Sequence, residues 1–181
     1  LAKNGIEYDK EYFNIVTVAR LSKEKGIERA IKVVKFCIDK GHKVRYHIVG
    51  SGDQDTSLKE LVRDNNLTDS VMFYGNQANP YKYMVNADLF LLTSYHEAAP
   101  MVFDEAACLG VPVLATKTTS TDEMIIENKA GFVCENSDES IKNGLLDILD
   151  NADRLNNIKN GLRNREFNNN TIIINFKNMI G

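Results

Sequence analysis

Residues 13–41 have the sequence FNIVTVARLSKEKGIERAIKVVKFCIDKG, and this stretch carries the pattern that decides the fold. Residues 15–19 form an apolar run without a polar face, which is typical of a strand buried on both sides. The apolar residues of 27–38 then recur at helical spacing, and Gly41 follows at a position where helices commonly end. The stretch therefore predicts a buried strand that leads directly into a helix.

The same alternation continues along the chain. Further strands are predicted at residues 44–49, 71–74, 88–93, 112–115 and 131–134, and further helices at 56–66, 81–85 and 101–109. Ser120 with Glu123 is a capping-box pattern for another helix, and Ser137 is positioned to cap the helix that follows. This order predicts an α/β, Rossmann-like fold with a parallel sheet of about six strands and helices on both faces.

The helical pattern weakens after about residue 151, where asparagine becomes frequent. Leu155, Ile158 and Leu162 keep helical spacing, and three isoleucines follow at 172–174. We predict a single domain over residues 1–181, with a core at about 13–150 and a helical tail at 151–181. Because the chain begins at Leu1 and not at a methionine, we expect it to be a fragment or an excised domain.

Composition and charge narrow the class of protein. The formal net charge is -3, and 43% of the residues are hydrophobic, which is ordinary for a globular domain. Clustered basic surface is not indicated, so nucleic acid is not an expected partner. No apolar run is long enough to span a bilayer. Cys37, Cys108 and Cys134 lie far apart in apolar contexts, which favours reduced thiols in a cytosolic protein over a disulfide or a zinc site.

Cations follow the first predicted strand, at the sheet edge where parallel sheets bind ligands. Arg20 and Lys25 lie where a loop turns into a helix N-terminus, although a helix dipole favours anions there. We therefore expect both to bind an anionic group of a ligand, with the exposed helix amides as further donors. The alternative for a lone lysine is solvated charge, and we expect Lys23 to be an ordinary surface residue.

Small loops follow the second and third strands. The sequence Gly50-Ser51-Gly52 permits a tight turn and close approach of a ligand to the backbone. It lacks the third glycine of the dinucleotide fingerprint, so the motif is weak by itself. For Gly75-Asn76, a plain turn is an adequate explanation.

Two carboxylates follow the fourth strand. Glu97 lies in the loop and Glu105 about one turn inside the next helix, so both could face the cleft. Carboxylates suit a hydroxyl-rich ligand, because each accepts charge-assisted hydrogen bonds from sugar hydroxyls. Free helix amides near Met101 could bind phosphate. The preference of helices for acidic first turns is an alternative for Glu105, but not for Glu97, which precedes the helix across a proline.

The histidines and other motifs indicate no further chemistry. We do not expect a direct role for His96, because it neighbours Glu97 in sequence and the two side chains can point apart. We expect His42 and His47 to be surface or sheet-flanking residues. No spacing of His, Cys and Asp resembles a metal site, and the sequence contains no GxSxG elbow.

Taken in order, these motifs resemble the C-terminal domain of the GT-B-fold glycosyltransferases of family 4, also called group 1. The resemblance covers about residues 13–150. It is carried by Val18-Ala19-Arg20-Leu21 with Lys25-Gly26, Ile48-Val49-Gly50-Ser51-Gly52, Phe73-Tyr74-Gly75, Ala87-Asp88-Leu89, residues 97–105, and Gly110-Val111-Pro112-Val113-Leu114-Ala115. Each motif is weak alone, but their order and spacing are specific, above all the Glu-x7-Glu pair followed by alanine and Gly-x-Pro-Val.

The resemblance implies a retaining glycosyltransferase of the hexosyltransferase type, with a nucleoside-diphosphate sugar as donor and no cofactor or metal. Arg20 and Lys25 would bind the donor diphosphate and steady the leaving nucleoside diphosphate. Glu97 would contact the transferred sugar near the reacting carbon. Cations and helix amides can replace the Mg²⁺ that would otherwise neutralise a diphosphate.

The resemblance also implies a set of donor-binding residues. Glu105 would hold the ribose hydroxyls, and the Gly75-Asn76 loop would border the nucleobase. The remaining donor contacts are assigned to the loops after the second and fourth strands, at Gly50, Ser51, Gly52, Ala98, Pro100, Met101 and Val102.

Two departures from the family pattern concern the sugar pocket. Ala19 stands where the family usually has glycine, and Ala98 and Ala99 stand where glycine and an aromatic residue commonly follow the first glutamate. Added methyl groups could narrow the sugar pocket, so the sequence does not identify the donor sugar. With Glu-Ala-Ala-Pro-Met-Val at residues 97–102, the sequence resembles enzymes that build bacterial surface polysaccharides.

The resemblance implies an N-terminal domain that carries most acceptor contacts, and we expect that domain to be absent from residues 1–181. We expect residues 1–181 to fold and to bind donor weakly, without turnover. A cytoplasmic protein is predicted, with peripheral association at the inner face of the membrane open for the full enzyme, because many relatives use lipid-linked acceptors. Two other interpretations stay open: a GT-B-related nucleotide-sugar epimerase, and a non-catalytic nucleotide-binding or regulatory module.

Overall fold

The structure, a computed structural model, describes residues 5–97, 101–119 and 121–164. Its strands form one sheet and are β1 (Phe13–Val18), β2 (Val44–Val49), β3 (Val71–Phe73), β4 (Leu89–Leu92), β5 (Val113–Thr116) and β6 (Gly131–Cys134). All neighbouring strands are parallel, and their order across the sheet is β3-β2-β1-β4-β5-β6. The predicted Rossmann-like parallel sheet is confirmed.

The α-helices lie close to their predicted positions. They are α1 (Ile27–Asp39), α2 (Asp55–Asp64), α3 (Tyr81–Met84), α4 (Val102–Cys108), α5 (Asp138–Asp150) and α6 (Ala152–Arg163). A short 3-10 turn (Lys23–Lys25) precedes α1, and a π-helix (Asp122–Glu127) precedes β6. The helix expected from the capping box is therefore of the π type, and Ser120, its expected cap, lies outside the described residues.

Helices cover both faces of the sheet, because successive strand residues point to opposite sides. Ile15 packs in one buried cluster with Ile31 of α1 and Leu145 of α5. Its neighbour Val16 packs in a second cluster with Phe103 of α4 and residues of α3 and the π-helix. Burial on both sides explains why β1 has no polar face.

Two expected helix ends are present. Gly41 follows the C-cap of α1 with a φ of 95°, a left-handed conformation that favours glycine. Ser137 caps α5, and its Oγ accepts a hydrogen bond from the Ser140 amide at 3.2 Å. Both local predictions are confirmed.

The predicted tail packs on the domain as far as it is described. Leu155 and Leu162 of α6 are buried, and Leu162 contacts Ala107 and Ala130. The Nζ of Lys159 lies 2.8 Å from the Asp88 carboxylate, which joins α6 to the start of β4. Residues 165–181, including the isoleucines at 172–174, lie outside the described part of the chain.

His47 is buried in β2, with 2% of its surface exposed, and is not the surface or sheet-flanking residue that we expected. Its Nδ1 lies 3.0 Å from the Tyr74 hydroxyl and its Nε2 lies 3.1 Å from Asn14 Oδ1. The ring also stacks on Tyr8, with 4.0 Å between centroids. These partners satisfy both ring nitrogens, which explains why a histidine is tolerated in the sheet.

The cysteines and the helices bear on two further expectations. Cys37, Cys108 and Cys134 are free thiols, of which only Cys37 is fully buried. Across residues 5–97, 101–119 and 121–164, none of the helices combines the length and the apolar character needed to cross a bilayer.

The strand order reverses between β1 and β4. From β1 the chain proceeds through β2 and β3 on one side, and it then returns to β4 and proceeds outward through β5 and β6. The loops that follow β1 and β4 therefore leave the sheet in opposite directions and open a crevice between them.

Candidate functional site

An ion pair joins the two loops that border the crevice. The Nζ of Lys25, from the loop after β1, lies 2.5 Å from Oε1 of Glu97, from the loop after β4. Ser94 Oγ donates a second hydrogen bond to the same oxygen at 2.7 Å. The side chains of Lys25 and Glu97 are 26% and 9% exposed, so the pair is partly shielded from water and its hydrogen bonds are correspondingly strong. The structure thus brings two predicted site residues into contact.

The Lys25–Glu97 pair lines a groove of about 510 Å³, here called the pair groove. Its other lining residues come from the loops after β1, β4 and β5, and are Glu24, Tyr95, His96, Lys117, Thr118 and Thr119. His96 is exposed there, although we did not expect it to contribute directly.

Arg20 lies in a second groove, of about 570 Å³, here called the Arg20 groove. This groove is also bordered by the loops after β2 and β3, with Gly50, Ser51, Gly52, Asn76, Gln77 and Pro80 among its lining residues. Arg20 is exposed, and among the residues that the structure describes it has no ion-pair partner. Its guanidinium is therefore open to an anionic ligand.

The glycines after β2 serve the packing of one loop on another. A Cβ on Gly50 would lie 1.9 Å from the carbonyl oxygen of Ala19, and one on Gly52 would lie 2.2 Å from that of Leu21. The Leu21 amide also donates to the Ser51 carbonyl at 3.0 Å. Sequence reasoning expected these glycines to admit a ligand, whereas the backbone that approaches them is that of the loop after β1.

The loop after β3 continues the same edge. The Gly50 amide donates to the carbonyl of Gly75 at 2.8 Å, so the turn at Gly75 is tied to the loop after β2. Asn76 lines the Arg20 groove, together with Gln77, which we did not predict.

Glu105 lies apart from the Lys25–Glu97 pair. It is half-buried in the first turn of α4 and accepts a hydrogen bond from the Tyr81 hydroxyl at 3.2 Å. Burial raises the pKa of Glu105 above its ordinary value, and the hydrogen bond from Tyr81 opposes that shift. Tyr81 follows Pro80, which lines the Arg20 groove, but Glu105 itself is not among the lining residues of either groove.

The start of α4 has no side-chain cap among the residues that the structure describes. Met101 immediately precedes the helix and is 58% exposed. Unpaired amides of a first helical turn are available to water or a ligand. Ala98 and Pro100, the other predicted donor-binding residues of this segment, lie outside the described residues.

Sequence reasoning missed the loop after β5. Lys117 lines the pair groove and lies 3.7 Å from both Asp122 and Glu135. Thr118 and Thr119 lie beside it in the same groove. These residues follow a strand at the same sheet edge, so the positional rule that selected Arg20 and Glu97 would also have found them.

Over the described ranges, no group of three or more His, Cys, Asp or Glu side chains is placed to hold a metal ion.

Comparison with known proteins gives a family. Residues 2–165 match the model of the glycosyl transferases group 1 family. The amylovoran biosynthesis glycosyltransferase AmsK of Erwinia amylovora is 32% identical over 132 residues, which are 68% of this chain and 32% of AmsK. The capsular polysaccharide biosynthesis glycosyltransferase CapM of Staphylococcus aureus is 26% identical over 159 residues, which are 76% of this chain and 41% of CapM. The chain thus spans well under half the length of these relatives.

Solved structures share the fold. Staphylococcus aureus TarM, in a complex that includes UDP, has a TM-score of 0.78 at 21% identity, covering 99% of this chain and 37% of TarM. Anabaena HepE in complex with UDP has a TM-score of 0.75 at 24% identity, covering 84% of this chain and 43% of HepE. With its six-stranded parallel sheet and its match over residues 2–165, this chain belongs to the group 1 glycosyltransferases and has the Rossmann-like domain of their GT-B fold.

Proposed function

We propose that this chain is the donor-binding domain of a retaining hexosyltransferase that takes a sugar from a nucleoside-diphosphate sugar in bacterial surface polysaccharide biosynthesis. The observation that carries the proposal is the Lys25–Glu97 pair at the crevice where the strand order reverses. AmsK and CapM, which are named for polysaccharide biosynthesis, support the product class. The UDP in the HepE structure supports the donor class.

Arg20 and Lys25 are assigned to the donor diphosphate. A guanidinium can bind phosphate oxygens with two parallel hydrogen bonds, and Arg20 is exposed in its groove. The Lys25 ammonium has three donors, of which Glu97 engages one, so the others can reach phosphate. Negative charge grows on the diphosphate as it leaves, and fixed cations stabilise that charge without a metal cofactor.

Glu97 is assigned to the transferred sugar. Both hydrogen bonds that described residues donate to it end on Oε1, which leaves Oε2 as an acceptor for a sugar hydroxyl. Because Lys25 contacts Glu97 directly, the sugar and the diphosphate would be held at adjacent points of one crevice. Retention of the anomeric configuration is what the resemblance to the family implies.

The nucleoside is assigned to the other side of the site. Asn76 and the turn at Gly75 would border the base, beside Gly50–Gly52 in the Arg20 groove. Glu105 would accept hydrogen bonds from the ribose. Its hydrogen bond from Tyr81, which follows the groove residue Pro80, supports this assignment. Met101 and Val102 would contribute backbone amides.

The acceptor is assigned to a separate N-terminal domain of the full enzyme. Residues 1–181 would then bind donor without turnover, and sugar transfer catalysed by this chain alone would overturn that part of the proposal. The full enzyme would be cytoplasmic, with peripheral attachment to the inner face of the membrane where its acceptor is lipid-linked.

A thermal-shift titration with UDP, GDP, ADP and their sugars tests the proposal. One nucleoside diphosphate should raise the Tm with concentration, since a ligand at about 100 times its Kd stabilises a folded protein by about 2.7 kcal/mol. Arg20→Ala and Lys25→Ala should abolish the shift. Lys23→Ala, in the same loop but exposed, is the matched control and should keep it. A folded protein that shows no shift with any of these ligands would contradict the proposed function.

A further inference from the structure

Arg29 is a buried charge beneath the candidate site. It lies in the first turn of α1, and its side chain is 3% exposed. Its Nε donates to Asp138 Oδ1 at 2.7 Å and its Nη1 donates to Asn136 Oδ1 at 2.6 Å. Its Cζ also lies 4.5 Å from the centroid of the Tyr95 ring. Arg29 therefore joins α1 to the loop after β6 and to the loop after β4, which carries Glu97.

Asn136 connects Arg29 to that loop through hydrogen bonds. A guanidinium only donates hydrogen bonds, so the amide oxygen of Asn136 must face Arg29. The Nδ2 group then points to the loop after β4, where it donates to the Tyr95 carbonyl at 3.0 Å. A longer contact of 3.4 Å reaches the carbonyl of Ser94, whose hydroxyl donates to Glu97.

Three further hydrogen bonds tie the same loop to its other neighbours. Thr116 Oγ1 donates to the Ser94 carbonyl at 2.6 Å, and the Tyr95 amide donates to the Glu24 carbonyl at 2.8 Å. Thr93 Oγ1 donates to the carbonyl of Gly26 at 2.7 Å. Arg29 of α1 and Asn136 of the loop after β6 complete this set, so the loop after β4 is held by the end of β5 and by the loops after β1 and β6.

A purely structural ion pair does not account for Arg29. The Asp138 side chain is 60% exposed, and pairs with an exposed partner contribute little to stability. Burying a guanidinium is costly, and an apolar side chain of similar volume would fill the same space without that cost. The contacts that an apolar residue could not replace are those that orient Asn136 and the loop after β4.

We propose that Arg29 is a positioning residue, which acts through Asn136 to fix the loop after β4 and so places the Glu97 carboxylate against the donor sugar. The ligand part of this inference rests on the proposed function, whereas the ordering of the loop does not.

Arg29→Met tests the inference with two measurements. The first is amide hydrogen exchange at Tyr95, which should become about tenfold faster. The variant lacks the charge-assisted hydrogen bond that orients Asn136, so the free-energy cost of opening the loop is lower. The second compares the Kd for UDP-glucose with that for UDP, or for GDP-mannose with GDP if the titration selects guanine. The affinity for the nucleotide sugar should fall about tenfold and that for the nucleoside diphosphate less than about twofold. Glu97 is assigned to the sugar, whereas Arg20 and Lys25, which are assigned to the diphosphate, lie on the loop after β1 and not on the loop after β4.

Arg45→Met is the matched control. Arg45 lies on β2, pairs with Asp9 at 3.6 Å and stacks on Tyr12, so its replacement also removes an ion pair and an aromatic contact, but outside the two grooves. It should change neither Tyr95 exchange nor the ratio of the two affinities. Asn136→Ala, which keeps the Arg29–Asp138 pair, should reproduce the Arg29→Met pattern and decides the case if Arg29→Met does not fold.

Unchanged Tyr95 exchange in both Arg29→Met and Asn136→Ala would overturn the inference. Equal weakening of UDP-glucose and UDP would also overturn it, since a general loss of structure affects both ligands alike. If the unaltered chain binds no nucleoside diphosphate, the proposed function fails, and Tyr95 exchange alone still decides whether Arg29 positions the loop.

Discussion

Gly50 and Gly75 follow neighbouring strands, and both have positive φ angles, of 141° and 65°. Their surroundings differ. A Cβ on Gly50 would collide with the Ala19 carbonyl, whereas a Cβ on Gly75 has no neighbour within 4 Å among the described residues. The requirement for glycine therefore arises from backbone conformation alone at Gly75, and from conformation and loop packing at Gly50.

This contrast predicts unequal costs for the same substitution. Gly75→Ala should lower the free energy of unfolding by about 1 kcal/mol, the usual cost of an unfavourable φ. Gly50→Ala should lower it by about 3 kcal/mol or more, because the loop after β1 must also move. Urea denaturation of both variants measures the difference. Equal losses of unfolding free energy in the two variants would show that the packing of Gly50 on Ala19 adds nothing to the cost.

His47 predicts a dependence of stability on pH. Burial, with a smaller contribution from the Arg45 charge, lowers the pKa of His47 from 6.5 to about 4. The folded state therefore favours neutral His47, while the unfolded chain takes up a proton near pH 6.5. The stabilisation is present above about pH 6.5 and is lost as the pH falls towards about 4, by on the order of 2 kcal/mol.

Urea midpoints measured between pH 7 and pH 4 check this expectation. His47→Gln keeps hydrogen-bonding capacity but cannot titrate, so its stability should fall less over this range than that of the unaltered chain. Parallel curves for His47→Gln and the unaltered chain would contradict the expectation.

Among the secondary-structure elements, α6 is the one whose sequence pattern was weakest. The structure shows that Leu162 is 1% exposed against Ala107 and Ala130, so α6 packs on the domain core. Asparagine-rich sequence obscured this amphipathic face, because few apolar residues mark it. By contrast α1 was predictable, since the apolar residues of 27–38 recur at helical spacing and form a clear buried face.

Truncating Leu162 tests whether α6 contributes to the stability of the domain. Leu162→Ala should lower the free energy of unfolding by about 2–4 kcal/mol, through lost burial and a cavity. Asn157→Ala, at an exposed position of the same helix, should change it by less than about 0.5 kcal/mol. Denaturant unfolding of both variants gives the comparison. A loss as small for Leu162→Ala as for Asn157→Ala would place α6 outside the cooperative unit.

At the scale of the whole molecule, the candidate site consists of two grooves that share the loop after β1. Arg20 borders one groove and Lys25 the other. A ligand with a diphosphate between a nucleoside and a sugar fits this arrangement, since its charged centre would meet both cations. The extended shape of the proposed donor therefore matches the arrangement of the two grooves on either side of the loop after β1.

This arrangement also predicts donor binding without a divalent metal. In the proposed function Arg20 and Lys25 supply the positive charge, so the thermal shift produced by the preferred nucleoside diphosphate should be the same in EDTA and in Mg²⁺. Raising the salt concentration should reduce the shift, because Arg20 is exposed and its charge is screened. A shift that appears only with Mg²⁺ would show that the two cations do not suffice.

The sequence alone determined the order of strands and helices and the parallel sheet, and it predicted the sheet edge at which the candidate site lies. Those features follow from apolar periodicity, capping residues and turn residues, which are local in the chain. It also selected Arg20, Lys25 and Glu97, because each follows a strand at the ligand-binding edge.

Only the tertiary structure decided which of these residues meet. Lys25 and Glu97 are 72 residues apart and come together because β1 and β4 are neighbours in the sheet. The packing of Gly50 on Ala19, the burial of His47 and the position of Arg29 beneath Asn136 likewise depend on strand order and register. Local periodicity does not specify which distant segments meet, because those contacts form only when the strands assemble into the sheet.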